Sequence, residues 1–278
     1  MPPSICCSTT SYGALGARAA IENVREVGLE AIELPIPTAG ARSRYHDEPL
    51  LTSESGSNDV AELKRLLAVN GVRIASCLIT SGNPLDPENL RSILRKLDLM
   101  HQLGVPLAVG GAGAARDEGE RQQLYRHLRQ IGDYAAERGI VYCCDTLPGV
   151  CLNHRWMLQT MAELDHPHLR INFDPGNLLY YNENPTVEVS LAKVCHLVRH
   201  VHLKDSMGEM RQWYFPALGY GGAVDFLRIR ELLRDVGYDG PCSLCIDGID
   251  EEGALPLEEY QRRIADSLRT LRDCGWLV

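Results

Sequence analysis

Eight short apolar runs alternate with longer amphipathic ones from one end of the sequence to the other, and few folds accept that rhythm. The runs are SICCS (4–8), EAIEL (30–34), VRIASC (72–77), VPLAVG (105–110), IVYCC (140–144), LRINF (169–173), HVHLK (200–204) and CSLCI (242–246). Each has the length and composition of a buried strand. Helical periodicity marks LGARAAIENVREVG, NDVAELKRLLAVNG, RDEGERQQLYRHLRQIGDYAAERG, DFLRIRELLRDVG and PLEEYQRRIADSLRTLRDCG. It is clearest in PENLRSILRKLDLMHQLG, where Leu90, Ile93, Leu94, Leu97, Met100 and Leu103 form one stripe behind an Asp86-Pro87 start. Strands repeating with helical segments between them, at spacings of roughly 30–40 residues, predict a (β/α)8 TIM barrel. A single domain over residues 1–278 accommodates it. The rival, a doubly wound open sheet, lacks its signature, since no GxGxxG follows the first strand and polar residues crowd the ends of several late strands.

Charge narrows the partners. A formal net charge of −9 and a hydrophobic fraction of 45% describe an acidic globular chain, ill-suited to a nucleic-acid backbone or an anionic membrane. No apolar run approaches the ~18 residues that a membrane-spanning helix needs. The start, MPPSICCSTTSYG, has neither the basic beginning nor the apolar core of a secretory signal, so a cytoplasmic location is expected. The ten cysteines suggest a metal or disulfide framework until they are placed. In PCSLCID, Cys242 and Cys245 are three apart on a strand and face opposite ways, which precludes chelation by both. Reduced, buried, structural thiols are expected.

The last four strands carry the chemistry. Side chains alternate along a strand, so in HVHLKD the residues His200, His202 and Lys204 share one face while Val201 and Leu203 take the other. RINFDPGN likewise puts Asn172 and Asp174 opposite Ile171 and Phe173; CSLCIDG puts Ser243, Cys245 and Asp247 opposite Leu244 and Ile246. Asp145 directly follows the fifth strand. In a barrel the large apolar set faces the helices, and the polar set faces the interior and rises to the C-terminal rim. Asp145, Asp174, His202 and Asp247 then converge, one per strand. Three carboxylates and an imidazole gathered together need a positive centre, and mixed oxygen and nitrogen ligation suits one divalent cation: Mn²⁺, Mg²⁺, Co²⁺ or Zn²⁺. Lys204 is placed above it to meet a substrate oxyanion.

Plainer readings exist for each residue. Asp174-Pro175-Gly176-Asn177 and Asp247-Gly248 are also turn sequences, and Asp145 could simply cap the segment after its strand. His200, a layer deeper, reads as a hydrogen-bonded core histidine. Glu33 either touches substrate or braces a loop. Two long loops, 35–56 and 205–224, are expected over the catalytic mouth; the second carries Arg211 and Trp213, either as part of a lid or as surface.

GLEAIEL, LRINFDPGNLLYY, HVHLKD, PALGYGGAVDF and GYDGPCSLCIDG together resemble the sugar phosphate isomerase/epimerase family, the xylose-isomerase-like TIM barrels. The likeness runs over nearly the whole chain and is densest from 140 to 250. It implies one divalent metal held by an acid after strand five, an aspartate after strand six, the HxKD histidine and an acid after strand eight, here Asp145, Asp174, His202 and Asp247. It also implies a small carbohydrate or polyol substrate and leaves a homodimer open. This chain departs from the pattern in having aspartate where the family has glutamate after strands five and eight, and Leu147 where a histidine is usual. Aspartate reaches less far by roughly 1 Å or more, against a tolerance of ~0.2 Å in such sites. Either the metal shifts, or water bridges, or the site is weak.

The implied activity is that of a metal-dependent sugar isomerase or epimerase, with proton abstraction alpha to a carbonyl through a metal-stabilised enediolate. Asp145 and Asp247 would be the acid/base pair and Lys204 the oxyanion partner, with Glu33, Asn177, Lys204 and Arg211 around the substrate. A lyase of the inosose- or dehydroshikimate-dehydratase type begins with the same abstraction. A non-catalytic barrel that binds a sugar or a partner is the third reading, kept open by the two shortened acids.

Overall fold

A computed structural model describes residues 3–79 and 81–277. Eight parallel strands close into a barrel: β1 (Ser4–Ser8), β2 (Ala31–Pro35), β3 (Arg73–Leu78), β4 (Leu107–Gly110), β5 (Val141–Cys144), β6 (Leu169–Phe173), β7 (Val198–Leu203) and β9 (Pro241–Leu244). All eight expected strands are present, shifted by at most a few residues. Closure is direct: β1 pairs with β9 through Ile5 and Cys242, and β9 pairs with β7 through Ser243 and His202. The remaining strands, β8 (Tyr214–Phe215) and β10 (Gly248–Ile249), make a small antiparallel ribbon from the loops that follow β7 and β9.

The helices are α1 (Gly16–Asn23), α2 (Ser57–Asn70), α3 (Pro87–Leu103), α4 (Glu118–Ala136), α5 (His154–Leu164), α6 (Pro175–Tyr181), α7 (Val187–Val194), α8 (Phe226–Asp235) and α9 (Leu257–Asp273). Helix α3 starts as the sequence suggests. Asp86 accepts from the Glu88 N–H at the head of α3, with Pro87 at the first helical position, and Asp117 and Asp225 do the same work for α4 and α8. Helices α5, α6 and α7 are additions to the elements read from periodicity. Among the described residues no helix is long and apolar enough to cross a membrane.

Apolar residues on the outer faces of the strands meet the helix ring: Ile171, Phe173, Val201, Leu203 and Leu244 are buried in one continuous core. All ten cysteines are free and eight of them are buried. Burial raises the Cys7 thiol to about 12, which suits packing and not chemistry.

One buried cation belongs to the scaffold. Lys96 of α3 is fully buried, and its ammonium donates to Thr38 Oγ1 at 3.2 Å and to Ser81 Oγ, joining the loops after β2 and β3. Burial lowers its pKa to about 7. The unfolded chain therefore binds a proton that the folded chain releases between about pH 7 and the ordinary lysine value, and stability from this group rises across that window. We expect the melting temperature of Lys96→Met, relative to the parent, to be most favourable at pH 7 and to fall steadily toward pH 9.5. A difference that does not vary with pH would contradict this.

Candidate active site

The polar face of β7 meets the ends of β2, β5 and β6 inside the barrel. His202 is the hinge of the arrangement. Its Nε2 lies 3.0 Å from Glu33 Oε1, and its Nδ1 lies 3.2 Å from Asp174 Oδ2 and 4.0 Å from Asp145 Oδ1. One nitrogen is thus tied to a carboxylate across the barrel while the other faces the two rim aspartates. One layer below, His200 is completely buried: its Nδ1 donates to Asn172 Oδ1 at 2.8 Å, and its Nε2 meets Ser76 and Ser243, each at 3.0 Å. It is the hydrogen-bonded core histidine that its depth suggests.

Each acid is set by its backbone. Asp174 caps α6, its Oδ1 accepting from the Asn177 N–H at 2.8 Å, which leaves Oδ2 for His202. The turn reading and the site reading of DPGN therefore both hold, one per oxygen. Asp145 Oδ1 accepts from Asn172 Nδ2 at 2.6 Å and from the Thr146 N–H at 2.9 Å. Asp247 pairs with Lys204, Oδ2 to Nζ at 2.5 Å. Lys204 Nζ also donates to Asn177 Oδ1 at 3.0 Å, lies 3.8 Å from Asp174 Oδ2, and sits 4.0 Å above the Phe215 ring. Gly176 makes room for the lysine stem, because a Cβ there would lie 2.7 Å from Lys204 Cγ.

Charge is concentrated and mostly buried. Burial alone would raise the Glu33 carboxyl, but the His202 charge and the hydrogen bonds from His202 and Ser76 outweigh it and hold it at about 2. Burial likewise opposes a proton on His202, yet Glu33 and Asp174 drive its pKa well above the ordinary histidine value. His200, where burial dominates, falls to about 3 and stays neutral. Burial also dominates at Asp145, whose pKa rises to about 6 despite the attraction of His202. At Asp247 the Lys204 ammonium more than offsets burial and keeps the carboxyl below its usual range. Four carboxylates, Glu33, Asp145, Asp174 and Asp247, thus surround His202 and Lys204, and the cluster has negative charge to spare.

A divalent cation fits this donor set. One atom each from Asp145, Asp174 and His202 lies within 4.8 Å of the other two. Two carboxylate oxygens and an imidazole nitrogen, with the opposite ring nitrogen donating to a buried carboxylate, is the arrangement that orients a metal-binding histidine. Glu33, His200 and His202 form a second close triad. Their atoms are already spent on one another and on Ser76. The rim triad is the better host.

Not every expected residue joins the cluster. Arg211 is exposed at φ 63°, tied by its backbone N–H to Tyr180 O at 2.9 Å, and no hydrogen bond or ion pair of its guanidinium reaches the site among the described residues. Glu33 is joined to His202, fully buried. Sequence reasoning misses Asn172, which touches Asp145, His200 and His202, although its place on the Asp174 face is a signal. The two long loops lie over the mouth as expected, with Trp213 in the second, but Tyr45 in the first is not singled out by the sequence. Tyr45 Oη and Trp213 Nε1 donate to the Asp247 carbonyl at 3.1 and 3.3 Å, so both long loops do close over the eighth barrel strand. Arg44 stacks on Trp213 at 3.8 Å and pairs with Asp250 at 2.8 Å. Asp247 also lines a cleft of about 610 Å³ together with Thr10, Tyr45, His46 and Arg263.

Known proteins share this architecture. A curated relative, an inosose dehydratase of Clostridium botulinum, is 27% identical over 217 residues, 66% of this chain and 72% of its own. D-psicose 3-epimerase of Clostridium cellulolyticum H10, solved with D-tagatose, superposes with a TM-score of 0.77 at 14% identity, over 98% of this chain and 99% of that one. A xylose isomerase-like TIM barrel protein of Mycobacterium smegmatis, solved in complex with magnesium, gives 0.71 at 19% identity, over 97% of each chain. The family model described as xylose isomerase-like TIM barrel matches residues 21–274. With the closed barrel and the site at its C-terminal rim, that match makes this chain a member of the xylose isomerase-like TIM barrel family.

Proposed function

We propose that the protein is a divalent-metal-dependent isomerase or epimerase acting on a ketose or related polyol. The observation that carries the reading is the rim triad of Asp145, Asp174 and His202 beside the Lys204–Asp247 pair. A cation bound by the triad supplies Lewis-acid polarisation of the substrate carbonyl. Asp145 and Asp247 are the acid/base pair, one removing the proton alpha to the carbonyl and the other returning it from the opposite side. The Lys204 ammonium faces the oxygen on which negative charge develops. Asn177 holds that ammonium in place, and Tyr45, Trp213 and Phe215 keep water from the reacting carbon. The magnesium and sugar named for the two solved structures support the reading.

A second reading is favoured by the likeness to inosose dehydratase: the same abstraction followed by loss of a β-hydroxyl. One experiment separates the two. Incubated in deuterated water with Mn²⁺ and a panel of ketoses and inososes, an isomerase or epimerase returns a sugar labelled at the carbon alpha to the carbonyl, and Asp247→Asn abolishes the label. A lyase instead yields an enone that absorbs in the ultraviolet. Neither label nor enone, across the panel, would contradict both.

The metal gives an independent check. Protein purified without chelator should carry about one first-row divalent ion per chain by elemental analysis. Asp174→Asn should lose it, and Glu33→Gln should weaken it by about 10–100-fold through the loosened imidazole. A parent that takes up no metal even after soaking would contradict the proposal and favour a binding role.

A further inference from the structure

We propose that the cation has three protein ligands, Asp145, Asp174 and His202, and that Asp247 stands outside the shell, where it positions Lys204 in addition to its acid/base part. The inference rests on the metal-dependent reading above and concerns only how this chain divides its acids. Both Asp247 oxygens are already occupied: Oδ2 pairs with Lys204 Nζ at 2.5 Å, and Oδ1 accepts the Thr10 hydroxyl at 3.3 Å. Its backbone is fixed too, because Tyr45 and Trp213 clamp its carbonyl from the two long loops. A carboxylate one methylene shorter than glutamate, with its own main chain pinned, has little means of reaching inward.

Lys204 closes the gap between the two acids. Its ammonium is 3.8 Å from Asp174 Oδ2 and 2.5 Å from Asp247 Oδ2, so it lies between the triad and Asp247. The Asn177 amide oxygen at 3.0 Å and the Phe215 ring at 4.0 Å hold it there from two further sides. A fixed positive charge in that place repels a second cation from Asp247's side. Three protein ligands would leave coordination positions open to water or to substrate oxygens. Asp145 and Asp247 are both shortened, yet they serve differently: Asp145 turns toward His202 and Asp247 turns to the lysine.

The test is Mn²⁺ binding by calorimetry, with the melting temperature measured with and without Mn²⁺, for the purified parent, Asp145→Asn and Asp247→Asn. We expect Asp247→Asn to bind one Mn²⁺ within about threefold of the parent affinity and to keep the metal-induced rise in melting temperature. Its metal-free melting temperature should drop, because Lys204 is left without its counter-charge. Asp145→Asn should weaken Mn²⁺ by at least about thirtyfold and lose the rise. The double variant Lys204→Met/Asp247→Asn, which removes both charges of the pair, should also bind within about threefold or more tightly, and it serves if the single variant does not fold. Loss of Mn²⁺ by either Asp247 variant on the scale of Asp145→Asn overturns the inference while the metal-dependent reading stands. A parent that binds no Mn²⁺ overturns both.

Discussion

The contact on which this barrel's chemistry depends is the one between His202 Nε2 and Glu33 Oε1, 3.0 Å apart inside the closed sheet. A fully buried carboxylate is tolerable only when paired, and an imidazole pointed at the rim is precise only when its other nitrogen is held. Each need answers the other. The pairing crosses the barrel from β2 to β7. Below it, His200 Nε2 is held by the hydroxyls of Ser76 and Ser243. Above it, Nδ1 is left facing Asp145 and Asp174. The deep polar layer is thus the foundation, and the rim triad is what it supports.

A second consequence is a division between two sources of positive charge. On the proposed reading the triad draws on a divalent cation, whereas Asp247 draws on Lys204. Shorter acids at both positions would be a defect if all four residues had to meet one ion. They are no defect if one acid anchors a lysine that faces the same space. The roof follows from that anchor, since Asp247's carbonyl is where Tyr45 and Trp213 attach, and Phe215 lies under the ammonium.

The barrel strands were legible because their signal is local: a period of two, with polar residues on the face that turns inward. Residues 169–173 fall on β6 without a shift. Helices α6 and α7, of 7 and 8 residues, are too short to build a periodic stripe, and the ribbon of β8 and β10 has two residues per strand. In the site, Asp174 and His202 could be singled out from strand alternation alone. The role of Glu33 could not, because its partner is 169 residues away in sequence and adjacent only once the sheet has closed. Asp247 posed a similar problem. Alternation gives the face on which it stands, but not whether a neighbouring ammonium or a shared ion takes its oxygen. Tyr45 and Trp213 lie in long loops, where no periodicity announces a direction.

The proposed chemistry turns on where a cation would sit relative to His202, Asp174, Asp145 and Lys204. Anomalous diffraction at the manganese edge, from crystals grown with Mn²⁺, measures that directly. A single peak within bonding distance of His202 Nδ1 and the two rim aspartates, with Lys204 still paired to Asp247, is the predicted result. A peak coordinated by Asp247 with Lys204 displaced, or no peak at the barrel rim, would contradict it.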